Sequence, residues 1–269
     1  MKDFKIKYGK WALVTGASSG IGAEFAQKLA ELGLNLVLVA RRREYLEQYA
    51  TTLKQKFSIK VRCLTVDLSK EDFMAEILSE TRDIEIGLLV NNAGFANTGE
   101  FLENDLKQEL EMLYVNCRAP MLLNHEFGKL MRKRQRGGII LVSSIAAFSA
   151  MPLWSNYAAT KAYSLLLGEG MASEFKHYGV DILVVCPGAT RTEFQTVAGV
   201  EVPMAMTPEK VVSFAISSLG KKTVIIPGRH NRFMVSTTRL FPRWLNTKRG
   251  HFIVNKIKKK KELVVKTSI

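Results

Sequence analysis

One stretch of the chain decides the fold, and it reads Lys10-Trp-Ala-Leu-Val-Thr15-Gly16-Ala-Ser-Ser-Gly20-Ile-Gly22. It opens with a short apolar run typical of a buried strand, and a helical pattern over residues 23–32 follows the glycines. A strand, a glycine-rich turn and a helix in this order place backbone N–H groups and a helix N-terminus where they can bind a pyrophosphate. The turn alone is a weak signal, but the strand and helix around it strengthen the prediction of a nucleotide-binding unit.

Apolar strands and helical patterns then alternate along the chain. Strands are predicted at residues 10–15, 34–40, 59–66, 86–90, 137–143, 180–186 and 223–226. Helices are predicted at residues 23–32, 44–56, 70–82, 105–134, 157–178 and 209–219. Near-continuous apolar runs such as 34–40 are typical of parallel strands that are covered on both faces. The alternation therefore predicts an α/β fold with a doubly wound, Rossmann-like parallel sheet.

The composition limits the class of protein. The chain has 269 residues, of which 47% are hydrophobic and 24% are charged, so it can bury a core and is not a disordered protein. The three cysteines, Cys63, Cys117 and Cys186, lack the spacing of a metal site, so no metal is predicted and a reducing compartment is indicated. The N-terminus has no signal-peptide core, and no window approaches the roughly 20 apolar residues of a membrane span. We therefore expect a cytoplasmic protein.

Basic charge is concentrated at the C-terminus. The chain has a net charge of +14, and residues 229–269 hold twelve Lys and Arg against the single Glu262. We therefore divide the chain into a catalytic domain, 1–228, and a basic, partly amphipathic extension, 229–269. The extension is expected to pack on the domain or on a neighbouring subunit, with a mobile lysine end. Peripheral contact with an anionic membrane is a close alternative, and nucleic-acid binding is a distant third because no reading module is recognised.

The segment from Ser144 to Lys161 carries a candidate reaction centre. Ser144 follows the predicted strand 137–143, and open α/β sheets bind ligands at the carboxyl ends of their strands. Tyr157 and Lys161 are four residues apart on a predicted helix, so their side chains are neighbours. A nearby ammonium lowers the pKa of a tyrosine, which can then give a proton to a carbonyl oxygen held by Ser144. Taken alone, such a pair is more often a packed tyrosine beside a solvated lysine.

No side chain supplies a hydride, so this centre implies a redox cofactor. Arg41, Arg42 and Arg43 follow the second predicted strand, where no Asp or Glu stands to bond the ribose hydroxyls of NAD. Arg41 and Arg42 favour the 2′-phosphate of NADP, whereas Arg43 is expected to begin a solvated helix. After the third strand, Asp67 is placed to accept a hydrogen bond from an adenine amino group. It could instead cap the next helix, although Ser69 fits that position better.

Three further segments hold small or amide side chains. Asn91-Asn-Ala-Gly94 follows the fourth strand, where small residues let the backbone lie close to a ligand. Asn116 lies inside the long predicted helix 105–134, where its amide either satisfies a kink or holds a water behind Lys161. Pro187-Gly-Ala-Thr190-Arg-Thr192 follows the sixth strand.

These motifs resemble those of the short-chain dehydrogenase/reductase family, in its shorter, single-domain branch. The resemblance runs from about residue 10 to residue 228. It rests on Thr15-Gly-x-x-x-Gly-x-Gly22, Asn91-Asn-Ala-Gly94, Asn116, Ser144, Tyr157-x-x-x-Lys161 and Pro187-Gly188. Each motif alone is weak, whereas all of them in order and at fitting spacing are very specific.

The resemblance implies a role for each residue. Tyr157 is the general acid in reduction or the base in oxidation, Lys161 lowers its pKa and binds the nicotinamide ribose, and Ser144 holds the substrate oxygen. Asn116 supports a water in the proton relay, and Arg41 marks a preference for NADP. The implied cofactor-binding residues are Gly16, Ser18, Ser19, Gly20, Ile21, Gly22, Arg41, Arg42, Asp67, Leu68, Asn91, Ala93, Gly94, Tyr157, Lys161, Pro187, Gly188, Thr190 and Thr192.

The resemblance also implies a function. The family builds its substrate pocket from three regions, which here supply an apolar set: Phe148, Met151, Leu153, Trp154, Phe194, Val197, Val200, Val202, Met204 and Met206. This set favours a lipophilic ketone or aldehyde that is interconverted with its alcohol by an NADP(H)-dependent enzyme. Pairing of the helices at 105–134 and 157–178 is expected to give a homodimer or homotetramer.

Two alternatives to this function are considered, one that is not an enzyme and one that is a different enzyme. The first is a cofactor-binding scaffold or membrane-associated regulatory protein with a vestigial redox site, which the intact Ser144, Tyr157 and Lys161 oppose. The second is a sugar-nucleotide epimerase or dehydratase, which fits the Tyr and Lys but not the glycine spacing or the short C-terminal part.

Overall fold

A computed structural model describes residues 2–193, 205–238 and 240–267. Within them one parallel sheet contains β1 (Trp11–Thr15), β2 (Asn35–Ala40), β3 (Val61–Thr65), β4 (Ile86–Asn91), β5 (Gly137–Val142), β6 (Val180–Val185) and β7 (Val224–Ile225). The order across the sheet is β3-β2-β1-β4-β5-β6-β7. The chain thus runs outward from β1 to β3 and returns to place β4 beside β1. A crevice opens at the carboxyl ends of these two strands, where the winding direction reverses.

Helices cover both faces of the sheet. They are α1 (Lys2–Tyr8), α2 (Gly20–Glu31), α3 (Arg43–Phe57), α4 (Phe73–Thr81), α5 (Leu106–Leu113), α6 (Ala119–Arg134), α7 (Ser155–Phe175), α8 (Pro208–Ser218), α9 (Arg229–Thr238) and α10 (Arg243–Thr267). A π-helical turn, Tyr114–Arg118, joins α5 to α6, and short 3₁₀ turns at Ile145–Phe148 and Lys176–Tyr178 flank α7. No helix in these described ranges is long and apolar enough to cross a membrane.

Two apolar layers hold the helices on the sheet. Successive strand residues point to opposite faces, so Leu13 packs in one layer and Val14 in the other. Helices α2, α3 and α8 cover the Val14 face, where Phe25 is fully buried. Helices α4, α6 and α7 cover the Leu13 face with side chains that include Phe73 and Phe127. Burial on both faces explains why the strands are apolar along their whole length.

The predicted doubly wound sheet is confirmed, and three differences lie in the helices. The long helix predicted at 105–134 is interrupted by the π-helical turn that contains Asn116. The helix predicted from Lys70 begins at Phe73, because Asp67 accepts hydrogen bonds from the backbone N–H and the hydroxyl of Ser69 and closes a turn there. The preference for Ser69 as the helix cap was therefore wrong, and Asp72 holds that position. Helices α1, α9 and α10 have no counterpart among the predicted helices.

Candidate active site

A cleft of about 1040 Å³ lies along the carboxyl edge of the sheet. Strands β1 to β6 each place residues in it at or just beyond their ends, since parallel strands bring their carboxyl ends to one edge. The predicted residues that line it are Gly16, Ser18, Ser19, Gly20, Ile21, Arg41, Arg42, Asp67, Leu68, Ala93, Gly94, Ser144, Tyr157, Lys161, Pro187, Gly188, Thr190 and Thr192. The structure thus brings together residues from the segments that follow six different strands. Gly22, Asn91 and Asn116, also predicted, lie behind the cleft wall.

The glycine turn packs tightly against the segment that follows β4. Gly16 has φ +65°, and a Cβ on it would lie 2.9 Å from the Cα of Ala93. The Thr15 hydroxyl accepts hydrogen bonds from the backbone N–H groups of Asn92 and Ala93, each at 3.0 Å. A Cβ on Gly22 would collide with the Gly16 carbonyl oxygen, so this glycine lets α2 begin directly at the turn. The turn and the first turn of α2 therefore border the cleft, which is the arrangement that fits a pyrophosphate.

The two asparagines after β4 have different surroundings. Asn91 is buried, and its Nδ2 donates to Oδ1 of Asn124 on α6 at 2.6 Å. Asn92 lines the cleft, and its Nδ2 donates to the Thr15 carbonyl at 3.0 Å. Neighbouring residues at a strand end point to opposite sides, which explains the difference. The prediction placed Asn91 along the cofactor and omitted Asn92, although both stand in the same motif.

Arg42 is the centre of a polar cluster at the mouth of the cleft. Its Nη2 donates to the hydroxyls of Ser18 at 3.1 Å and Ser19 at 3.0 Å. The same Nη2 forms an ion pair with Oε2 of Glu193 at 2.7 Å. Hydroxyls and a guanidinium are suitable donors for a phosphate oxygen. Glu193 was not among the predicted residues. Its carboxylate binds the guanidinium of Arg42, which a phosphate would also use.

Arg41 and Asp67 lie in the same cleft wall. Burial acts to raise the pKa of Asp67, but hydrogen bonds from Ser69 and the charge of Arg41 together hold it below its ordinary value. Asp67 is therefore an ionised acceptor at neutral pH. This state is compatible with the predicted hydrogen bond from an adenine amino group.

Ser144, Tyr157 and Lys161 meet at the inner part of the cleft. Ser144 follows β5, and it forms a hydrogen bond with the side chain of Tyr157. Lys161 Nζ lies 5.8 Å from the centre of the Tyr157 ring and donates to the Val142 carbonyl oxygen at 3.0 Å. Trp154 packs edge-on against the Tyr157 ring at 5.6 Å between centroids. Helix α7 therefore sets the phenol between a hydroxyl donor and a buried ammonium.

Burial controls the ionisation of this group of residues. It raises the pKa of Tyr157 to about 12, while the hydrogen bond with Ser144 acts in the opposite direction. Burial also lowers the pKa of Lys161 to about 8. The sequence-based expectation was a lowered pKa for Tyr157. The difference arises because desolvation of the buried phenol outweighs the effect of its hydrogen bond with Ser144.

Asn116 holds the backbone behind the cleft. Its Nδ2 donates to the Phe95 carbonyl and to the Thr160 hydroxyl, each at 3.0 Å, and its Oδ1 accepts from the Phe95 N–H. Asn116 itself lies in the π-helical turn, and its amide joins that turn to the segment after β4 and to α7. A small cavity of about 10 Å³ is lined by Asn116, Lys161 and Ser164 among others. A cavity of roughly 10–15 Å³ can hold one water.

The apolar set expected for the substrate pocket is only partly in the cleft. Met151, Trp154 and Met206 line it. Phe148 packs on the core beneath α7, and Leu153 is not among the lining residues. The other five predicted residues, Phe194, Val197, Val200, Val202 and Met204, lie outside the described residues.

The C-terminal extension forms much of the remaining wall. Helices α9 and α10 contribute Asn231, Met234, Val235, Thr238, Asn246, Arg249, Gly250 and Ile253. Helix α9 packs closely against Gly188, because a Cβ added to that glycine would collide with the Asn231 side chain. On α10, Val254 is fully buried. The extension thus packs on the domain, as expected. The residues that the extension adds to the site form no recognisable motif, so they could not be identified from the sequence.

Known proteins are similar to this chain in sequence and in fold. The family model described as short chain dehydrogenase matches residues 10–201. A 7beta-hydroxysteroid dehydrogenase of Clostridium sardiniense is 33% identical over 235 residues, which are 86% of this chain and 90% of that protein. A very-long-chain 3-oxoacyl-CoA reductase of Mus musculus is 31% identical over 245 residues, 89% of this chain and 78% of that protein. A solved short-chain dehydrogenase from Sphingobium yanoikuyae in complex with NADPH has a TM-score of 0.78 at 31% identity, covering 86% of this chain and 93% of that one.

Proposed function

Because the chain belongs to the short-chain dehydrogenase/reductase family of oxidoreductases, we propose that it is an NADP(H)-dependent enzyme that interconverts a lipophilic ketone or aldehyde and its alcohol. The observation that carries the proposal is the meeting of Ser144, Tyr157 and Lys161 in one cleft with Arg41 and Arg42. The first three residues suit proton transfer to a carbonyl oxygen, and the arginines suit a phosphate.

In this proposal the bound nicotinamide cofactor supplies or accepts the hydride. Ser144 donates a hydrogen bond to the substrate oxygen, and the Tyr157 hydroxyl gives that oxygen its proton. Because burial raises the pKa of Tyr157 to about 12, its hydroxyl remains protonated at neutral pH. A protonated donor is what reduction of a carbonyl needs, so the electrostatics support the reductive direction.

After reduction Tyr157 needs a new proton, and Lys161 and Asn116 surround the route by which it would arrive. Lys161 is buried behind Tyr157, and together with Asn116 it borders the 10 Å³ cavity. We assign this cavity to a water that passes a proton between solvent and the Lys161 amine. Asn116 contributes by keeping the π-helical turn and the Phe95 backbone in place around it.

Two features support a lipophilic substrate. Met151 and Trp154 line the cleft beside Tyr157, with Met206, Met234 and Ile253 from later in the chain. The two curated relatives carry names that refer to a hydroxysteroid and a very-long-chain acyl group. The scaffold alternative is not favoured, since the three reactive side chains are intact and converge in the cleft.

Two partner assignments accompany the proposal. Large apolar side chains are exposed on α5 and α7, including Leu106 and Leu166, and they support a homodimer or homotetramer. On the extension, Phe233, Trp244 and Phe252 are exposed beside basic residues, and they support peripheral contact with an anionic membrane. The division at residue 228 stays a prediction.

The cofactor assignment is tested by titrating the protein with NADPH and with NADH, followed by fluorescence. NADPH should bind at least tenfold more tightly, and Arg42→Ala should remove about a factor of ten, since a charge-assisted hydrogen bond contributes roughly 1.5–3 kcal/mol. Arg41→Ala is expected to act in the same direction. Arg43→Ala is the matched control, because Arg43 is exposed and pairs with Glu47 outside the cleft. Equal binding of the two cofactors would contradict the assignment.

A further inference from the structure

Arg118 links the segment after β3 to the π-helical turn that contains Asn116. It is the last residue of that turn, and its Nη2 donates to the Ser69 carbonyl oxygen at 2.9 Å and to the Lys70 carbonyl oxygen. This nitrogen carries two N–H groups, so it can satisfy both acceptors. A single side chain therefore holds the backbone of the segment after β3.

The guanidinium of Arg118 is itself held beside two aromatic rings. It lies 4.6 Å from the ring centroid of Tyr114 and 5.9 Å from that of Phe73. Both distances are within the roughly 6 Å range of a cation–π interaction. Tyr114 begins the same π-helical turn, whereas Phe73 begins α4 and is buried in the core. These contacts restrict the long, half-buried side chain of Arg118 to one orientation.

The segment that Arg118 holds contains the proposed adenine site. Asp67 and Leu68 line the cleft directly before Ser69. The Asp67 carboxylate accepts from the Ser69 N–H at 3.0 Å and from the Ser69 hydroxyl at 2.8 Å, and the Asp67 carbonyl accepts from the Lys70 N–H at 3.1 Å. The two residues whose carbonyls bind Arg118 thus also position Asp67.

The π-helical turn reaches the cleft from the neighbouring side. Val115 of this turn lines the cleft together with Leu68. Asn116, the next residue, fixes the turn to the Phe95 backbone and to α7. The turn is therefore a firmly held element, and Arg118 anchors the segment after β3 to it.

We propose that Arg118 is a positioning residue for the adenine end of the cofactor. It is not among the residues that line the cleft, so it acts through the backbone that it holds. Without its two hydrogen bonds, Asp67 and Leu68 lose the geometry in which they meet the adenine ring. The inference rests on the proposed function and adds a residue to its cofactor site.

The test compares the two ends of the cofactor as separate molecules. Adenosine 2′,5′-bisphosphate carries the adenine end, and reduced nicotinamide mononucleotide carries the other end. Calorimetric titration measures their binding to the wild type and to Arg118→Met, in which a flexible apolar side chain replaces the donors. The dissociation constant of the adenine fragment should rise about five- to tenfold, while that of the nicotinamide fragment changes less than about twofold.

Two further variants separate the hydrogen bonds from other effects. Arg118→Lys keeps a cationic donor for the carbonyls, so it should bind the adenine fragment within about threefold of the wild type. Arg132→Met is the matched control, because Arg132 is exposed and lies 5.6 Å from the Tyr178 ring outside the cleft. Its affinity for both fragments should equal that of the wild type.

Hydrogen exchange of the cofactor-free protein gives a second readout. The amides of Ser69 and Lys70 should exchange faster in Arg118→Met, because the turn that they close is no longer anchored. The amide of Gly16, which donates to the Val39 carbonyl at 2.8 Å, should exchange at the wild-type rate. In turnover, the KM for NADPH should rise at unchanged kcat, as expected for a lost contribution to uniform binding.

Unchanged binding of the adenine fragment by Arg118→Met would overturn the inference. An equal loss at both ends of the cofactor would overturn it too, since it would indicate a general weakening of the fold. Failure of the proposed function gives a different result. If the wild type binds both fragments but reduces no ketone, the proposed reaction fails, and the comparison of fragments still decides the role of Arg118. A wild type that binds neither fragment and neither NADPH nor NADH would overturn both.

Discussion

Lys161 is a buried cation, and its ionisation affects folding as well as chemistry. Burial lowers its pKa from 10.5 to about 8. Between these values the unfolded chain binds the proton more strongly than the folded protein, so this residue makes stability increase with pH across that window. Below pH 8 both states are protonated and the full cost of burying the charge is present.

Lys161→Met removes this pH dependence. The free energy of unfolding of the wild type, relative to that of Lys161→Met, should rise by about 2 kcal/mol from about pH 7 to about pH 9.5, since each pKa unit corresponds to about 1.4 kcal/mol. Urea denaturation of both proteins at the two pH values measures it. A difference that does not change with pH would show that the pKa of Lys161 is not lowered.

Tyr157 carries the proposed proton transfer. Tyr157→Phe keeps the ring that packs against Trp154 and removes the hydroxyl. Turnover of a ketone should fall by about 10²–10⁴, the usual contribution of a general acid, while the affinity for NADPH changes less than about twofold. Tyr163→Phe on the same helix, outside the cleft, is the control and should keep full activity. Activity retained in Tyr157→Phe would remove the assignment of the acid.

Glu193 occupies the donors assigned to the cofactor phosphate. Its ion pair with Arg42 is exposed at both ends, and exposed pairs contribute only about 0.2–1 kcal/mol. Glu193→Gln should therefore tighten NADPH binding about two- to fivefold without a similar gain for NADH. Glu47→Gln, which breaks the exposed pair with Arg43, is the matched control. An unchanged NADPH affinity would mean that Glu193 does not compete with the phosphate.

At the scale of elements, Glu109 joins α5 to the start of α7. Its carboxylate is buried and accepts from the amides of Asn104 at 2.9 Å, Asn97 at 3.3 Å and Asn156 at 2.7 Å. Asn156 directly precedes Tyr157 in the chain. The contact therefore connects the loop after β4 with the first turn of the helix that carries the proposed acid.

Removing this carboxylate should weaken both the fold and the site. Glu109→Ala removes the acceptor that three half-buried amides share, so the free energy of unfolding should fall by about 1–3 kcal/mol. The KM for substrate should also rise, since the loop before Tyr157 forms a cleft wall. Chemical denaturation and steady-state kinetics measure the two effects, with the exposed Glu103→Ala on the same loop as control. Wild-type stability in Glu109→Ala would contradict this role.

At the scale of the whole molecule, the exposed apolar surface on α5 and α7 is the surface proposed for the association of two copies. Leu106 is 69% exposed and Leu166 is 68% exposed. Leu166→Glu should shift the protein toward monomers in analytical ultracentrifugation, because a buried unpaired charge opposes association. Ile6→Glu, at an equally exposed residue on α1, is the control and should leave the oligomer intact. A monomeric wild type would contradict the pairing.

The sequence by itself determined the sheet and most of the site. The apolar character of the strands and the order strand, turn, helix can both be recognised in short stretches of sequence. The predicted boundaries of β1 and β2 therefore differ from the observed ones by only one residue. Gly16, Ser144, Tyr157 and Lys161 stand in compact motifs, and the parallel sheet brings them to one edge.

Only the tertiary structure decided which neighbours these motifs meet. Asn91 and Asn92 are adjacent in sequence, yet the direction of each side chain at the end of β4 sends one to Asn124 and the other to the cleft. Glu193 meets Arg42 from 151 positions away in the chain, and Arg249 lines the cleft from the C-terminal extension. Their contributions depend on packing between remote segments and on the burial it imposes, as does the raised pKa of Tyr157, and neither packing nor burial can be read from local pattern.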